Sequence, residues 1–211
     1  MNTFGRFRRI CLLAAAALFG ASLPATATDI VPMVGARTGG EVANQVTPYD
    51  PTMPSSLSLD SSASYGVVVD LPLYGGWRAV ELYFSRQPTR LRGGEFLAPP
   101  VSDLTVTVIH VGLADTLPTD DPRLSWLLFG SAGATQFEAR SSSDTRFSIG
   151  LGGGARWMFS PHVGLRGDLR AIVSFTGNSQ TVIVCNGGCV GHYAGTIAVQ
   201  GEATLGIVVR F

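Results

Sequence analysis

The sequence predicts an all-β protein, an eight-stranded antiparallel up-and-down transmembrane β-barrel. Three observations favour this fold class. Segments of about ten residues alternate between apolar and polar side chains, and their number is even. The connections between them are alternately short and long. Finally, one face of each clear segment carries large aliphatic and aromatic residues, while the other carries charges, hydroxyls and glycines.

The first 27 residues have the three parts of a secretory signal peptide. Three arginines lie within the first nine residues, an apolar stretch follows at 10–23, and the Ala-Thr-Ala of residues 25–27 is a small-x-small cleavage site. A membrane anchor that stays attached is less favoured, because the apolar stretch is short and ends at Pro24. We expect cleavage after Ala27, which removes Cys11 and leaves residues 28–211 as one barrel domain.

The composition argues against nucleic-acid binding. Only 14% of the residues are charged, and the 15 basic residues are all arginines. Three of these leave with the signal peptide, so the 15 acidic residues outnumber the 12 arginines that remain. A mildly acidic chain without a basic patch does not fit a nucleic-acid-binding protein.

Eight alternating segments follow the signal peptide. The clearest places Val163, Leu165, Leu169, Val173 and Phe175 on one face, with Arg166, Asp168 and Arg170 on the other. The predicted strands cover residues 29–39, 64–73, 76–87, 103–113, 124–137, 146–159, 163–175 and 200–211.

The connections place the two ends of the barrel. The short ones cover residues 73–76, 116–123 and 160–162, and the long ones cover residues 40–62, 88–101, 138–145 and 176–192. Outer-membrane barrels have short periplasmic turns and long extracellular loops. Both termini and all three short turns therefore fall on the periplasmic side.

The polarity of the faces distinguishes a membrane barrel from a soluble one. A soluble eight-stranded barrel such as a lipocalin is apolar inside and polar outside. That arrangement would force Trp157, Phe159, Leu165, Leu169 and Phe175 into a narrow interior. With the faces reversed, these side chains meet lipid and closure of the barrel satisfies every backbone polar group.

Two stretches carry a resemblance to a known family. The strand-turn-strand sequence FSIGLGGGARWMFSPHVGLRGDLRAIVSF and the terminal GIVVRF resemble small eight-stranded outer-membrane barrels of the OmpA/OmpX type. The resemblance implies a Gram-negative outer-membrane location with lipid as a partner. It also implies a non-enzymatic role in membrane integrity or in surface-loop interaction and adhesion.

The last strand resembles the C-terminal signal that the barrel assembly machinery reads when it inserts and closes a barrel. The matching positions are Leu205, Ile207, Val209 and Phe211. An edge strand that happens to stop at Phe211 is the less favoured alternative. The resemblance therefore implies the assembly machinery as a partner of this strand.

Nine charged residues are predicted to face the lumen. A nearly balanced set of charges in a barrel this narrow favours a salt-bridged plug, because an unpaired buried charge is costly. A narrow porin-like channel or small-molecule carrier is the alternative. The nine residues are Arg37, Asp70, Glu81, Arg156, Arg166, Asp168, Arg170, Glu202 and Arg210.

The last long loop contains the only two cysteines of the mature chain. Cys185 and Cys189 enclose Asn-Gly-Gly, and we expect a disulfide in an oxidising compartment. Together with His192 they could in principle offer three zinc ligands, but no fourth ligand is evident and no metal is expected.

No catalytic residue or cofactor site is expected. A rim-site lipid-modifying enzyme could use only His192 with Ser142, Ser143 or Asp144, and no motif joins these residues. The glycines at 150 and 152–154 resemble a phosphate-binding loop superficially, but no helix follows them. Glycines within a strand more often make room for side chains.

Aromatic residues are expected in two interfacial girdles, and the long loops are candidates for an extracellular ligand. The first long loop contains three prolines and few charges, which favours an extended surface segment. The girdles comprise Trp157, Phe159 and Phe211 at one end and Tyr65, Phe147, Phe175 and Tyr193 at the other.

Overall fold

The structure, a computed structural model, describes residues 28–43, 56–73, 75–92, 103–139, 142–175, 181–184, 190–193 and 197–211. None of these residues belongs to a helix long and apolar enough to cross a membrane. The strands are β1 (Asp29–Thr38), β2 (Glu41–Ala43), β3 (Ser56–Leu59), β4 (Ser62–Pro72), β5 (Arg78–Arg92), β6 (Asp103–Pro118), β7 (Leu124–Ala139), β8 (Ser142–Met158), β9 (Val163–Phe175), β10 (Thr181–Val184), β11 (Val190–Tyr193) and β12 (Ile197–Arg210).

Eight long strands form one closed antiparallel barrel. The strands β4 to β9 pair in chain order, β12 pairs with β9, and β1 closes the sheet by pairing with both β4 and β12. The short strands β2 and β3 continue the sheet from the far end of β5, and β10 pairs only with β11. The predicted fold class is therefore confirmed.

The register shows how the strands tilt. The cross-strand partners of Ile30, followed once around the barrel from β4 to β12, lead to Val199, which lies against Gly40. The path thus returns to the first strand ten residues further on, at 40 instead of 30. A row of cross-strand partners therefore lies closer to the loop end of the barrel at each successive strand from β12 through β1 and β4 to β5. A closed sheet of tilted strands requires this displacement.

The outer surface is apolar. Leu169, Val34 and Leu151 are 68%, 66% and 64% exposed, and the outward positions of the other long strands are also mostly apolar. The backbone polar groups of these strands are paired around the closed ladder. A closed barrel with an apolar exterior and a charged interior is a transmembrane barrel, which agrees with the predicted outer-membrane location.

Aromatic side chains mark both ends of this surface. Trp157, Phe159 and Phe211 are exposed at the end that holds the termini. Trp77 and Trp126, which are not among the predicted girdle residues, are exposed at the same end. At the opposite end Tyr65, Phe147 and Phe175 are exposed, and the last two stack with ring centroids 5.9 Å apart. The side chain of Tyr193 lies outside the described residues.

Two of the long loops are shorter than predicted. β5 continues to Arg92, and β7 and β8 reach to within two residues of each other, so most of the expected 138–145 loop is strand. Alternation disappears there because both faces become polar. The outward side chains in this region include Glu138, Ser143 and Thr145. The wall of β5 to β8, with strands of 15 to 17 residues, therefore extends beyond the shorter strands β1 and β4.

Candidate functional site: the barrel interior

All nine charged residues predicted to face the lumen lie on the inner face of the barrel. Arg156 and Arg210 are partly exposed at the end that holds the termini. The other seven are at most 6% exposed: Arg37, Asp70, Glu81, Arg166, Asp168, Arg170 and Glu202. They form three layers along the barrel, which we call the mouth, central and upper layers.

The mouth layer is organised by Asp29, which is not among the nine predicted residues. Arg156 donates from Nη1 to Asp29 Oδ2 at 2.8 Å, and Arg210 donates from Nε and Nη2 to the two carboxylate oxygens at 2.7 and 2.8 Å. Asp29 and Arg37 are an even number of positions apart in β1 and therefore lie on the same face, so alternation alone could have identified Asp29. A cavity of about 310 Å³, also lined by Asp70, opens beside this layer.

The central layer is built around Arg166, and all three of its guanidinium nitrogens donate to carboxylates. Nε lies 2.9 Å from both oxygens of Asp168, Nη1 lies 2.7 Å from Asp70 Oδ2, and Nη2 lies 2.8 Å from Glu81 Oε2. Glu81 also accepts a hydrogen bond from Arg170 at 2.8 Å. Three strands, β4, β5 and β9, therefore meet in one network across the lumen.

Aromatic rings enclose the second arginine of this layer. The guanidinium carbon of Arg170 lies 4.0 Å from the ring centroid of Tyr83 and 4.1 Å from that of Phe129. Cation–π contacts become stronger when water is excluded, and both rings are at most 4% exposed. The rings fill the lumen between the charged groups.

The upper layer holds Glu202 and Arg37. Nη2 of Arg37 lies 3.2 Å from Glu202 Oε1 and donates to Ser85 Oγ at 2.6 Å. Ser85 donates in turn to Glu202 at 2.9 Å, and the Tyr83 hydroxyl makes a short hydrogen bond to the same carboxylate. Nε and Nη1 of Arg37 have no partner among the described residues.

His110 lies among hydroxyl groups, one of which, Ser131, also accepts a hydrogen bond from Arg170 Nη1 at 3.4 Å. Its ring nitrogens are 3.1 Å from Ser131 Oγ and 2.8 Å from Ser148 Oγ, and Thr135 donates to Ser148 at 2.8 Å. The ring is 3% exposed and each of its nitrogens has a hydroxyl partner. This arrangement is that of a hydrogen-bonded core histidine.

The interior also contains an apolar part, so the inner face is less polar than predicted. Tyr83 belongs to it, and its fully or almost fully buried members come from six of the eight barrel strands. They are Val31, Met33, Val68, Val106, Val108, Ile172 and Val208. The lumen of the described strands is thus filled by aliphatic, aromatic and charged side chains together.

Counting Asp29, the three layers contain five arginines and five carboxylates. The arginines are Arg37, Arg156, Arg166, Arg170 and Arg210, and each of them donates to at least one of these carboxylates. Burial of ions is tolerated when they are paired and hydrogen-bonded. The arrangement is therefore electrically neutral and chemically suited to hold strands together.

Two glycines of β8 make room for this interior. A Cβ at Gly152 would collide with the ring of Phe129, and one at Gly154 would collide with the carboxylate of Asp168. The glycines that resemble a phosphate-binding loop therefore lie in a strand, next to lumen side chains. Any other residue at these two positions would displace the central layer.

Part of the predicted rim site is described. Ser143 accepts a hydrogen bond from Gln136 at 2.9 Å, and Asp144 forms an ion pair with Arg146 at 2.7 Å. Cys185, Cys189 and the side chains of Ser142 and His192 lie outside the described residues, as do residues 1–27. Within the described part of the chain, no group of three or more metal-ligating side chains occurs.

Comparisons with known proteins support the fold. No protein-family model matches the chain, and no curated protein sequence matches it. The chain is similar to the solved structure of Neisserial surface protein A, with a TM-score of 0.55 and 14% identity over 86% of this chain and 97% of that one. The outer membrane protein OprG from Pseudomonas aeruginosa gives a TM-score of 0.54 and 12% identity over 87% and 95%. The predicted likeness to small outer-membrane barrels is therefore confirmed at the level of the fold.

Proposed function

We propose that this protein is a closed, non-enzymatic barrel of the Gram-negative outer membrane whose lumen is a structural core. Its biological role would lie in membrane integrity or in interactions of its extracellular loops. The neutral network of five arginines and five carboxylates carries this proposal. The fold shared with two small outer-membrane barrels is consistent with it.

The physical argument concerns what the charges contact. In a conducting pore, lumen charges would face water and the permeating ions. Here Arg166 and Glu81 are 2% and 0% exposed and are bound to each other across the lumen. The energetic cost of burying these ions is offset only if they remain paired, so the network favours a closed barrel.

Planar-bilayer recording on the folded protein tests the proposal. Folding is first verified by migration that differs between boiled and unboiled samples. We expect no steady ohmic conductance, because Arg166, Arg170, Tyr83 and Phe129 fill the central layer. A steady, reproducible single-channel conductance from the folded barrel would contradict the closed-barrel proposal.

A narrow channel is the second candidate, and one observation favours it. Several buried polar atoms near the loop end of the lumen have no partner among the described residues, including both amide atoms of Gln200 and Oε1 of Gln87. Such groups would suit a file of water or a small polar solute. A conductance that falls in the Gln200→Leu variant would support this reading.

The loop role can be tested separately from the barrel. Replacing residues 44–55 by a short Gly-Ser linker removes most of the first predicted long loop and leaves the barrel strands intact. Loss of adherence with unchanged detergent resistance of the cells would indicate surface interaction. Detergent sensitivity in cells that lack the whole protein, reversed by the loop variant, would indicate membrane integrity.

We also propose a cleaved signal at residues 1–27, a disulfide between Cys185 and Cys189, and an assembly signal at Leu205, Ile207, Val209 and Phe211. The intact mass of the mature protein identifies the cleavage site, and two titratable thiols without reduction would exclude the disulfide.

Deleting Phe211 should lower the fraction of heat-shifted barrel in the membrane. Unchanged insertion of the deletion variant would contradict the assembly role.

A further inference from the structure

Arg86 is an arginine on the lipid-facing side of the barrel. Its side chain is exposed, and its neighbours on the same face of β5 are Phe84 and Pro88. Across the sheet it pairs with Tyr65 of β4 and Thr107 of β6. None of these neighbours carries a negative charge, and no ion pair of Arg86 occurs among the described residues.

The other outward arginines of β5 whose side chains are described do have partners. Arg78 forms a bidentate pair with Asp115 at 2.6 and 2.8 Å, and its guanidinium lies 4.5 Å from the ring centroid of Trp77. Arg90 lies 3.6 Å from the carboxylate of Asp103. Among the described residues, Arg86 thus differs from both in presenting to the lipid a cation without an anionic partner.

The height of Arg86 along the barrel identifies the part of the membrane that it meets. It lies eight residues beyond Arg78, which is next to the tryptophan girdle. At about 3.3 Å per residue and a tilt of about 40°, this is about 20 Å up an apolar band about 25 Å tall. A long side chain can extend from there to the head groups, where an outward arginine costs little.

An apolar groove of about 700 Å³ leads up to this position on the outer wall. It follows one row of cross-strand partners, from Leu165 and Ile207 over Pro32 to Val67 and Phe84. Pro32 lies in the middle of this row and lines the groove. Because rows climb toward β5, the upper end of the groove lies at Phe84 and Tyr65, next to Arg86.

We propose that Arg86 and this groove bind a phosphorylated glycolipid of the outer leaflet, with a phosphate at Arg86 and an acyl chain in the groove. The complementarity is twofold, since an uncompensated guanidinium suits a phosphate and an inclined apolar groove suits a hydrocarbon chain. The assignment to the outer leaflet rests on the proposed orientation, with the termini on the periplasmic side. Tyr65 places a phenol at the junction of the two parts.

The test measures lipid retention by native mass spectrometry on the full mature protein in detergent. The probes are bis-phosphorylated lipid A, phosphatidylglycerol and phosphatidylcholine. Arg86→Gln should weaken lipid A binding about tenfold, as expected for the loss of one charge-assisted contact. Arg123→Gln, which removes the same charge from an exposed turn at the other end, is the matched control and should bind like the wild type.

A second variant tests the groove. Pro32→Leu places a larger side chain in the middle of the groove and should weaken binding of lipid A although every arginine is kept. Equal lipid A binding by Arg86→Gln and wild type would overturn the phosphate contact, and an unchanged Pro32→Leu would overturn the acyl site. Phosphatidylglycerol binding as tight as lipid A binding would overturn the assignment to the glycolipid.

The same preparation also serves the conductance recording, so the two proposals can fail separately. A barrel that conducts but retains lipid A through Arg86 would refute the closed lumen alone. A barrel that does not conduct and that retains lipid A no better than the other lipids would refute the lipid site alone.

Discussion

The central and upper layers of the lumen use the same kind of ion pair in different ways. In the central layer, all three guanidinium nitrogens of Arg166 donate to carboxylates. In the upper layer, Arg37 uses only Nη2, and its other two nitrogens have no partner among the described residues. Both arginines are at most 2% exposed. Two arginines that are both buried and both paired with a carboxylate can therefore differ in how many of their nitrogens have hydrogen-bond partners.

This difference bears on what each layer contributes to stability. A buried ion pair stabilises a fold only when its hydrogen-bonding groups are satisfied, since desolvation otherwise outweighs the attraction between the charges. Arg166 joins β9 to β4 and β5 across the lumen and meets that condition. We infer that the central layer holds the barrel closed, whereas the upper pair is replaceable by apolar side chains.

Arg166→Leu is expected to have the largest effect. The substitution leaves Asp70 and Asp168 buried without a cation from this residue, and Glu81 keeps only Arg170. Removing one member of a buried ionic network costs about 3–5 kcal/mol, so the free energy of unfolding should fall by that order. Urea unfolding in micelles, followed by the heat-shifted band, measures it. Arg123→Leu is the control, and equal midpoints for the two variants would contradict the prediction.

Substitutions in the upper pair are expected to lower the stability less than Arg166→Leu does, and combining the two substitutions should restore most of it. Glu202→Leu leaves Arg37 buried without its carboxylate and should cost about 3 kcal/mol, whereas Arg37→Met leaves Glu202 with Tyr83 and Ser85 and should cost less. The double variant should return to within about 1 kcal/mol of wild type, because apolar replacement of a buried pair is often neutral.

A double-mutant cycle from urea unfolding measures this compensation. If the double variant were as unstable as the sum of the two single variants, the upper layer would act like the central one. The comparison between the layers would then be wrong.

The strand faces could be read from the sequence, but the partners of each charge could not. Alternation placed Arg166 and Glu81 on inner faces correctly, because the side-chain period of a strand is two. Their contact joins residues 85 positions apart and depends on the register of several strands. No local pattern encodes that register. The enclosure of Arg170 by Tyr83 and Phe129 depends on it as well.

Alternation also failed to predict strands where the outer surface of the barrel leaves the lipid and meets water. Within the lipid band the outer residues must be apolar, so inward and outward positions differ clearly. Beyond it, outward Glu138 and Ser143 are as polar as lumen residues, so alternation predicts a loop where the ends of β7 and β8 in fact continue as strands. Asp29 lies on the same face of β1 as Arg37, but it stands at the first position of the strand, so only the residues that follow it support its assignment to the inner face.

The smallest expected effect concerns the Arg78–Asp115 pair on the outer wall, which has better geometry than the upper lumen pair. Both of its hydrogen bonds are short and parallel, yet the side chains are 39% and 31% exposed. Water at the membrane interface solvates the separated charges, so Arg78→Gln should change the unfolding equilibrium constant by no more than about twofold. Asp115→Asn should behave in the same way, and the double variant should show little coupling. If Arg78→Gln instead lowered stability as much as Glu202→Leu, burial would not be what separates these pairs, and the lipid-facing pair would have to be counted among those that hold the barrel together.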